Sequence, residues 1–536
     1  MQYKSIMNTS YKVAGFTGFS LVLLSLGSCR STDSENTLNS GNASVNINLL
    51  GTQFSNTETS PAQASVIKKV NSLSTADIQS HSILVNPSTI ITAELAPESA
   101  GSIKNQASAG SNMMAAAGDP LGYGITFRVL VYKQSDGSYA DSKDYIVGQP
   151  AGSLSLDQGT TYTIIAYSYG TAMLPAISAN EKNNLNTAAI SYDDYNRDFM
   201  YQKISFTPSS TTNTLNITLN HKVARITTVI ETASSFGKIN SISNAALTPH
   251  YSNGNINLSD GIISNRTQIT PGTGLDFSGT SFPAATASAR PVFINADTGG
   301  LATGSFSADI NIGGTAKTIN LANQFKITPG NNSTLKINFK KCGAYLGAGN
   351  TLWKDFMCHN LGADTNADPF TLSAAIQGAK YQWGAYTGES GRYYSQANDQ
   401  TNAGTITGWS NAGKADGSWL DSSKTGNDPC PSGYRVPTQG QWQSILSNNS
   451  YTAQGTWTDS PTNYGSGAKI GNLLFLPNAG YRSDTGGALA RRGISAAYWS
   501  SSLASNFAFG VELYPTYAYV TFFYRTIGAS IKCIAE

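Results

Sequence analysis

Four cysteines in the C-terminal part of this sequence have the clearest potential chemistry. They are Cys342, Cys358, Cys430 and Cys533, whereas residues 30–341 contain no cysteine. An even number of cysteines in one segment of an exported protein indicates disulfide bonds, and with four cysteines the pairing stays open. A zinc site is the alternative, but no CxxC motif or closely spaced histidine pair accompanies them. The sequence therefore favours two disulfides and divides into a cysteine-free part and a cross-linked part.

The fifth cysteine, Cys29, follows a different pattern. Two lysines precede an apolar run at residues 13–26, which has the length of a secretory signal and is short for a membrane-spanning helix. The run ends in Leu-Gly-Ser-Cys, which resembles the lipobox of bacterial lipoproteins. This resemblance implies that residues 1–28 are removed and that Cys29 receives acyl chains such as palmitate, which would hold the protein on the outer membrane, exposed at the cell surface. The alternative is an ordinary signal peptide cut near Ser28, with Cys29 left as a free thiol.

Two segments are predicted to lack regular structure. Residues 29–43 contain too little apolar surface to pack, so we expect a flexible tether that ends where the first strand begins. Residues 97–120 are rich in Ala, Ser and Gly and lack strand alternation, which predicts a long mobile loop. Met113 and Met114 in this loop are interpreted as filler rather than as a contact site.

The composition argues against several classes of function. Only 12% of the residues are charged, the net charge is +2 and no basic cluster occurs, so nucleic acid is not an expected partner. The 4 histidines are scattered, and neither a nucleophile elbow nor a metalloprotease helix is present. We therefore expect no catalytic residue, no metal site and no cofactor.

Apolar patterning predicts β-strands throughout the cysteine-free part. Residues 45–49, 215–219 and 335–339 alternate between apolar and polar side chains, which is typical of half-buried strands. Longer runs at residues 125–133 and 161–170 are rich in β-branched and aromatic residues and are bounded by turn signals. No amphipathic helix of convincing length interrupts them. The pattern predicts one or two antiparallel β-sandwiches.

Two blocks of this region resemble a known family. The sequence FRVLVYKQSDGSYADSKDY, followed by LDQGTTYTIIAYSYG, is similar to the N-terminal domain of fimbrillin-like proteins, the subunits and anchors of bacterial surface fimbriae. The block LNITLNHKVARITTVIETA resembles the passage into the second fimbrillin domain, where His221 and Lys222 would open a strand. The resemblance implies two sandwiches, at residues 44–214 and 215–340, and partner subunits that bind by strand addition. We interpret His221 as a hydrogen-bonded strand residue rather than a metal ligand.

Tryptophan-centred segments fill residues 341–536. They include CPSGYRVPTQGQW, LPNAGYR, YWSSS and a cysteine near the end, and together they resemble the FISUMP-type paralogous domain, a surface module related in fold to C-type lectins and formylglycine-generating enzymes. The resemblance implies an α+β lectin-like domain in which Cys430 pairs with Cys533. Cys342 and Cys358 are favoured as the second pair because they would close a short loop, and crossed pairings stay open.

A short helix is predicted inside this domain. Thr438 can cap it, and Gln441 stands three residues later as the partner of a capping box. Trp442, Ile445 and Leu446 then fall on one face of the helix. The helix should therefore dock on a core through its tryptophan.

Aromatic residues of this domain could bind a sugar without calcium, because aromatic rings stack on the apolar faces of pyranoses. The candidates lie in flexible polar sequence and are Tyr393, Tyr394, Trp409, Trp419 and Trp457. The alternative is that several of them belong to the core. Trp383, Trp442 and Trp499 occupy positions of the resembled motifs and are predicted to be buried.

Calcium binding and catalysis are both disfavoured for this domain. The strings nearest to calcium-lectin motifs, Leu-Pro-Asn at residues 476–478 and Trp-Ser-Asn at residues 409–411, lack the carboxylates that a hard cation needs. The formylglycine-generating enzymes use reactive cysteines near the C-terminus, whereas the predicted disulfide would consume Cys533.

The sequence therefore predicts a mainly β, non-enzymatic surface protein with two sandwiches and a lectin-like domain. We expect a fimbrial tip or accessory subunit, or an adhesin, whose partners include other fimbrillin subunits and a glycan or a host or bacterial surface protein. A fimbrial anchor or assembly protein is one alternative. An enzyme of the formylglycine-generating or carbohydrate-active type is another alternative. A free thiol at Cys533 would favour the enzyme.

Overall fold

The computed structural model describes residues 41–55, 78–98, 119–195, 198–233 and 236–536. The predicted signal peptide, Cys29, most of the tether and most of the loop around Met113 and Met114 lie outside the described residues. Within the described ranges strands dominate and the two α-helices are short, so the prediction of a mainly β fold is confirmed.

Ten strands precede the middle of the chain: β1 (Asn42–Gln53), β2 (Gln79–Asn86), β3 (Thr89–Pro97), β4 (Thr126–Lys133), β5 (Tyr139–Ile146), β6 (Leu154–Asp157), β7 (Tyr162–Ser168), β8 (Ala189–Asp193), β9 (Met200–Phe206) and β10 (Thr212–His221). A 3-10 helix spans Asn180–Lys182. Seven of the strands form one sheet in the order β5-β4-β7-β9-β10-β1-β6. Val129 and Ile164 are buried in one core and Leu130 and Ile165 in another, so both faces of the central strands are covered. This is why those strands are continuously apolar rather than alternating.

Ten further strands form the second part of the cysteine-free region: β11 (Ala224–Thr232), β12 (Ile239–Thr248), β13 (Asn253–Asn257), β14 (Ile263–Ser264), β15 (Thr273–Gly274), β16 (Thr286–Ser288), β17 (Val292–Ile294), β18 (Gly304–Ile312), β19 (Thr315–Phe325) and β20 (Asn332–Lys341). Two sheets, β16-β11-β20-β3-β2 and β15-β12-β18-β19, enclose one hydrophobic core. The two facing sheets form a β-sandwich, as predicted.

Among the described strands two pairs are parallel, which refines the predicted antiparallel arrangement. β1 pairs with β10, placing Ile47 opposite Leu215, and β11 pairs with β20, placing Ile226 opposite Ser333. Parallel neighbours require a long crossover, and the strands that intervene in the chain supply it here. Side chains alternate with a period of two in both arrangements, so the sequence pattern does not distinguish them.

Strand pairing crosses the predicted division between residues 214 and 215. β10 runs through this division, and β3 pairs with β20, with Leu95 opposite Leu335. β8 in turn pairs with β13, with Tyr192 opposite Gly254. The two parts of the chain therefore contribute strands to each other's sheets, so the division at residues 214 and 215 implied by the fimbrillin resemblance does not separate two sets of sheets.

His221 closes a strand rather than opening one, which corrects the sequence prediction. It is the last residue of β10, and β11 begins at Ala224. Its ring stacks on Phe54 at 3.7 Å, and its Nδ1 lies 2.6 Å from Asp198 Oδ1. The predicted hydrogen-bonding role is confirmed, with a carboxylate partner that the local sequence did not reveal.

Residues 341–536, here called the C-terminal unit, contain short elements: β21 (Gly343–Gly347), β22 (Thr351–Asp355), β23 (Lys380–Tyr381), β24 (Tyr393–Tyr394), α1 (Gln396–Thr401), β25 (Tyr434–Arg435), α2 (Gln439–Asn448), β26 (Tyr451–Gly455), β27 (Ser466–Ile470), β28 (Leu474–Pro477), β29 (Tyr481–Arg482), β30 (Leu489–Ala490), β31 (Ala497–Ala504), β32 (Phe507–Leu513), β33 (Ala518–Tyr524) and β34 (Ile534–Ala535). A 3-10 helix spans Ala374–Ile376. None of the helices in the described part of the chain is long and apolar enough to cross a membrane.

Both favoured disulfides are present in the C-terminal unit. Cys342 bonds to Cys358 across 16 residues, and Cys430 bonds to Cys533 across 103 residues. Next to the second bond, Tyr434 in β25 pairs with Ala535 in β34. The long-range disulfide therefore ties the entry to α2 to the last strand, as expected.

The predicted helix is confirmed as α2. The Thr438 hydroxyl accepts from Gln441 N at 3.1 Å, and Thr438 N donates to Gln441 Oε1 at 2.8 Å, which completes the capping box. Trp442 and Ile445 are fully buried, and Leu446 packs against the same core. Trp383 and Trp499 are also fully buried, as predicted.

The C-terminal unit is joined to the sandwich by more than the chain itself. Cys342 N donates to Ser88 O at 2.8 Å, and Cys358 N donates to Pro87 O at 2.7 Å. Pro87 and Ser88 form the turn between β2 and β3, and Ile90 beside them packs on both cysteines. The first disulfide therefore holds the start of the C-terminal unit against this turn.

Candidate aromatic binding surface

A three-stranded sheet in the order β31-β32-β33 forms one side of the C-terminal unit. In its centre, Val511 of β32 lies opposite Tyr498 of β31 and Val520 of β33. Glycine is required at Gly510, because a Cβ there would lie 2.6 Å from the Tyr498 carbonyl oxygen. In this strand order β33 lies at an edge of the sheet.

Buried tryptophans hold this sheet in place. Trp442 Nε1 donates to Trp499 O at 3.1 Å, and Trp499 Nε1 donates to Tyr381 O at 2.7 Å. The Trp499 ring also meets Phe523 of β33 edge-on, with centroids 6.0 Å apart. Because satisfied indole hydrogen bonds orient large aromatic side chains, the backbone of β33 has a rigid support.

Three tyrosines, here called the turn cluster, lie where β32 turns into β33. The Tyr514 ring stacks against Tyr517 at 5.2 Å and against Tyr519 at 5.8 Å. Tyr514 N donates to Tyr517 O at 2.9 Å, which closes the turn. Tyr517 is 52% exposed and Tyr519 is 40% exposed. The turn cluster therefore presents aromatic faces to solvent on an ordered backbone.

A buried carboxylate lies beneath the turn cluster. Glu512 accepts hydrogen bonds from Tyr519 Oη and Ser495 Oγ, each at 3.3 Å. Burial, the hydrogen bond with Tyr519 and the charge of Glu512 together raise the pKa of Tyr514 well above its usual value. The Tyr514 phenol is uncharged at neutral pH, as a tyrosine of ordinary pKa also is, and the raised pKa keeps it uncharged at more alkaline pH.

A second group, here called the strand cluster, comprises Phe507, Phe522 and Tyr524. Phe507 packs against Phe522 at 5.2 Å and against Tyr524 at 4.9 Å. Phe522 and Tyr524 are each 57% exposed. Because side chains alternate along a strand, Phe522 and Tyr524 lie on the opposite face of β33 from Tyr519.

The two tyrosines predicted from sequence as ligand contacts are half-buried. Tyr393 tilts against Tyr381 at 5.1 Å, and burial raises its pKa. Tyr394 lies under the Arg482 guanidinium at 4.8 Å and accepts a hydrogen bond from Asn402. One face of each ring is therefore already occupied by the protein.

The three predicted tryptophans are used in packing. Trp419 is 1% exposed against Trp383, and Trp409 is 6% exposed and donates to Thr526 O at 3.2 Å. Neither indole can stack on a ligand, which corrects the prediction for both. Trp457 is half-buried against the hydrophobic core, and its Nε1 donates to Gln454 O at 3.1 Å.

Sequence reasoning missed all six residues of the turn and strand clusters. For five of them the signal was the run YPTYAYVTFFY at residues 514–524, in which aromatic residues recur at short intervals, and Phe507 lies outside this run. Such a run predicts a strand, but it does not show that the strand lies at a sheet edge. Position in the sheet, rather than residue type, exposes these side chains.

A closed cluster of charges lies elsewhere in the C-terminal unit. Asp399 of α1 binds Arg482 Nε through Oδ1 at 2.6 Å, binds Arg492 through Oδ2 and lies 3.4 Å from Lys380 Nζ. All four residues are at most 1% exposed. Burial opposes ionisation of Asp399, yet the three cations hold its pKa below the usual value. Because solvent does not reach these groups, the cluster is suited to stabilising the fold rather than to binding a ligand.

A buried lysine gives the C-terminal unit a pH dependence. Lys532 is 1% exposed, donates to Cys358 O at 2.7 Å, and has its pKa lowered by burial to about 7 from 10.5. At a pH between these two pKa values, Lys532 is protonated in the unfolded state and deprotonated in the folded state. Because the unfolded state binds more protons, the free energy of unfolding rises with pH. We expect a gain on the order of 2 kcal/mol between pH 7 and pH 9.

Urea unfolding at pH 7 and pH 9 measures this dependence. All 7 tryptophans lie in residues 341–536, so tryptophan fluorescence reports on the C-terminal unit. Lys532→Met should reduce the rise, whereas Lys317→Met, at an exposed position, should leave it unchanged. A rise of equal size in Lys532→Met and wild type would contradict this assignment.

A cavity of about 360 Å³ lies beside the bulge of β12. Its polar lining is already engaged. Asn244 donates to Asp309 at 2.7 Å, and Asp276 accepts from Ser278 N at 2.8 Å. Asn244 and Asp276 would therefore have to give up these contacts to bind a ligand in the cavity.

The residues of the two calcium-motif-like strings are also used within the fold. Asn478 is 1% exposed and donates to Ser466 Oγ at 3.1 Å, and Ser410 O accepts from Gln382 at 2.9 Å. The described ranges contain no group of three or more side chains that could hold a metal ion.

Comparison with known proteins gives structural neighbours only. No family model matches the chain, and no curated protein matches it. A candidate cell adhesion protein of Bacteroides fragilis is 11% identical, with a TM-score of 0.30, over 56% of this chain and 93% of its own. A candidate cell adhesion protein of Bacteroides uniformis is 13% identical, with a TM-score of 0.29, over 41% of this chain and 91% of its own.

A fimbrial assembly protein of Parabacteroides distasonis is a further structural neighbour. It is 12% identical, with a TM-score of 0.25, over 39% of this chain and 82% of its own. At TM-scores this low, the likeness to all three proteins carries no conclusion about function.

Proposed function

We propose that this protein is a non-enzymatic cell-surface adhesion component that contacts carbohydrate through the turn cluster. The observation that carries the proposal is the exposure of Tyr517 and Tyr519 beside Tyr514 on a rigidly supported sheet. Uncharged aromatic faces with nearby hydrogen-bonding groups are what a sugar-binding surface offers. Lipid attachment at Cys29 and display on the outer membrane belong to the same proposal, and a lectin-like C-terminal unit would be held outward on the sandwiches.

The position of β20 supports an accessory or tip role rather than a place in a fimbrial shaft. Strand addition requires one subunit to lend a strand to the sheet of another. β20 lies between β11 and β3, and its chain continues directly into the disulfide-bonded Cys342. Lending β20 would open its own sandwich, so this chain would accept a strand rather than donate this one. A fimbrial anchor or assembly role is the alternative, and recovery of the chain at the base of isolated fimbriae would favour it.

A glycan array tests the proposed ligand class. Purified residues 30–536, which retain every described residue, should bind a subset of glycans. Because an aromatic contact contributes about 1 kcal/mol, Tyr517→Ser should weaken binding by roughly fivefold. Tyr123→Ser is the matched control, since Tyr123 is 90% exposed and lies outside the C-terminal unit. Equal binding by Tyr517→Ser and wild type, or no glycan binding by wild type, would reject the proposal.

A further inference from the structure

The outer edge of β33 is open. β33 pairs with β32 on one side, and no strand among the described residues pairs with it on the other. Phe522 and Tyr524 remain largely exposed along this edge. An edge strand carries a row of unsatisfied backbone donors and acceptors, which makes it a template for another strand.

β33 lacks the charges that two other edge strands of this protein carry. β5, at the edge of the seven-stranded sheet, carries Asp141, Lys143 and Asp144, and the edge strand β19 carries Lys317. β33 has the sequence AYVTFFY, with no charge and no proline. Charged residues and prolines are the usual means of blocking strand addition at an edge. Their absence leaves the edge of β33 without this block, as it also leaves the edge strand β2 (QSHSILVN); β33 differs from β2 in being rich in exposed aromatic side chains.

The sequence of β33 is also complementary to itself. If two copies pair antiparallel about Thr521, Val520 faces Phe522 and Tyr519 faces Phe523 of the other copy. Aromatic and β-branched residues are favourable cross-strand partners, and threonine can face threonine at the centre. The nearest charged residue, Arg525, would face Tyr517 of the other copy and not its own equivalent. The register therefore contains no like-charge pair.

We propose that β33 pairs with β33 of a second copy of this chain, joining two C-terminal units through one continuous six-stranded sheet. This contact is isologous, because the same residues are used on both sides of a two-fold axis. It would cover part of the strand cluster, which is exposed beside the open edge. The register also places Tyr519 and Tyr517 of the turn cluster opposite Phe523 and Arg525 of the second copy, so this contact and carbohydrate binding share residues. The mass measurement below uses no glycan, so it tests the pairing separately from the proposed function.

Mass measurement in solution tests the assembly. Residues 30–536 should be dimeric by light scattering, and Phe522→Lys, which places a charge at the edge, should be monomeric. Tyr195→Lys should stay dimeric, since Tyr195 is 93% exposed and lies outside the C-terminal unit. An unchanged unfolding midpoint by tryptophan fluorescence would show that Phe522→Lys still folds. A monomeric wild type, or a Phe522→Lys variant that remains dimeric, would overturn the proposal.

A cysteine cross-link tests the register. Residues on the two-fold axis have Cβ atoms about 5 Å apart, so Thr521→Cys should form a disulfide between copies under mild oxidation. Tyr519 lies two residues from the axis and would be about 13 Å from its equivalent, so Tyr519→Cys should not cross-link. Equal cross-linking of the two variants, or none by Thr521→Cys, would contradict this register.

Discussion

Replacing Asp399 with asparagine is expected to destabilise the C-terminal unit by about 3–5 kcal/mol, since it removes the counter-charge from a buried group of cations. Arg482 and Arg492 bind the two carboxylate oxygens, and Lys380 lies 3.4 Å from one of them. None of these side chains can reach water without opening the fold, because each is at most 1% exposed. The two arginines also donate to backbone carbonyl oxygens of Asp399 and Asn402 at the end of α1. Losing the Asp399 carboxylate, which holds the arginines in place, would therefore also release this helix.

Urea unfolding followed by tryptophan fluorescence measures this effect. Asp459→Asn is the matched control, since Asp459 is an exposed carboxylate of the same unit, and it should change the free energy of unfolding by less than about 0.5 kcal/mol. If Asp399→Asn unfolds at the same urea concentration as Asp459→Asn, the buried charge cluster does not stabilise the unit.

Loss of the Cys430–Cys533 disulfide should be about as damaging. The bond closes 103 residues, and the restriction that it places on the unfolded chain contributes about 4–5 kcal/mol. The Cys342–Cys358 bond closes only 16 residues and should contribute about 3 kcal/mol by the same reasoning. The double variant Cys430→Ser/Cys533→Ser is therefore expected to be less stable than the double variant Cys342→Ser/Cys358→Ser.

Each disulfide variant serves as the control for the other. Both remove two buried sulfur atoms, and all four cysteines are at most 5% exposed, so they differ mainly in loop length. Tryptophan fluorescence again reports on the unit that contains both bonds. A greater loss on removing Cys342–Cys358 would show that its contacts with the β2–β3 turn outweigh loop length.

The fold was predictable where local pattern determines structure. Alternation identified β1 and β10, and the capping box of Thr438 and Gln441 identified α2. The parallel pairing of β1 with β10 and the placement of β3 beside β20 were not predictable, because they depend on contacts between distant residues. Period-two patterning identifies a strand without identifying its neighbours.

The candidate site was less predictable than the fold. Trp409 and Trp419 lie in polar, glycine-rich sequence, yet both indoles are buried because the surrounding loops wrap over them. Tyr519 lies in a strand-like run and is exposed on β33 at a sheet edge, and Tyr517 is exposed in the turn that precedes this strand. Residue type identified aromatic candidates in the correct unit, and the order of strands determined which of them reach solvent.

Adhesion of bacteria that display this protein tests the proposed function most directly. Cells carrying wild type, Tyr517→Ser/Tyr519→Ser or Tyr123→Ser at equal surface abundance would be compared on host cells and on partner bacteria. Wild type and Tyr123→Ser are expected to adhere equally, and Tyr517→Ser/Tyr519→Ser is expected to lose most of its adhesion. Undiminished adhesion by Tyr517→Ser/Tyr519→Ser would contradict recognition through the turn cluster.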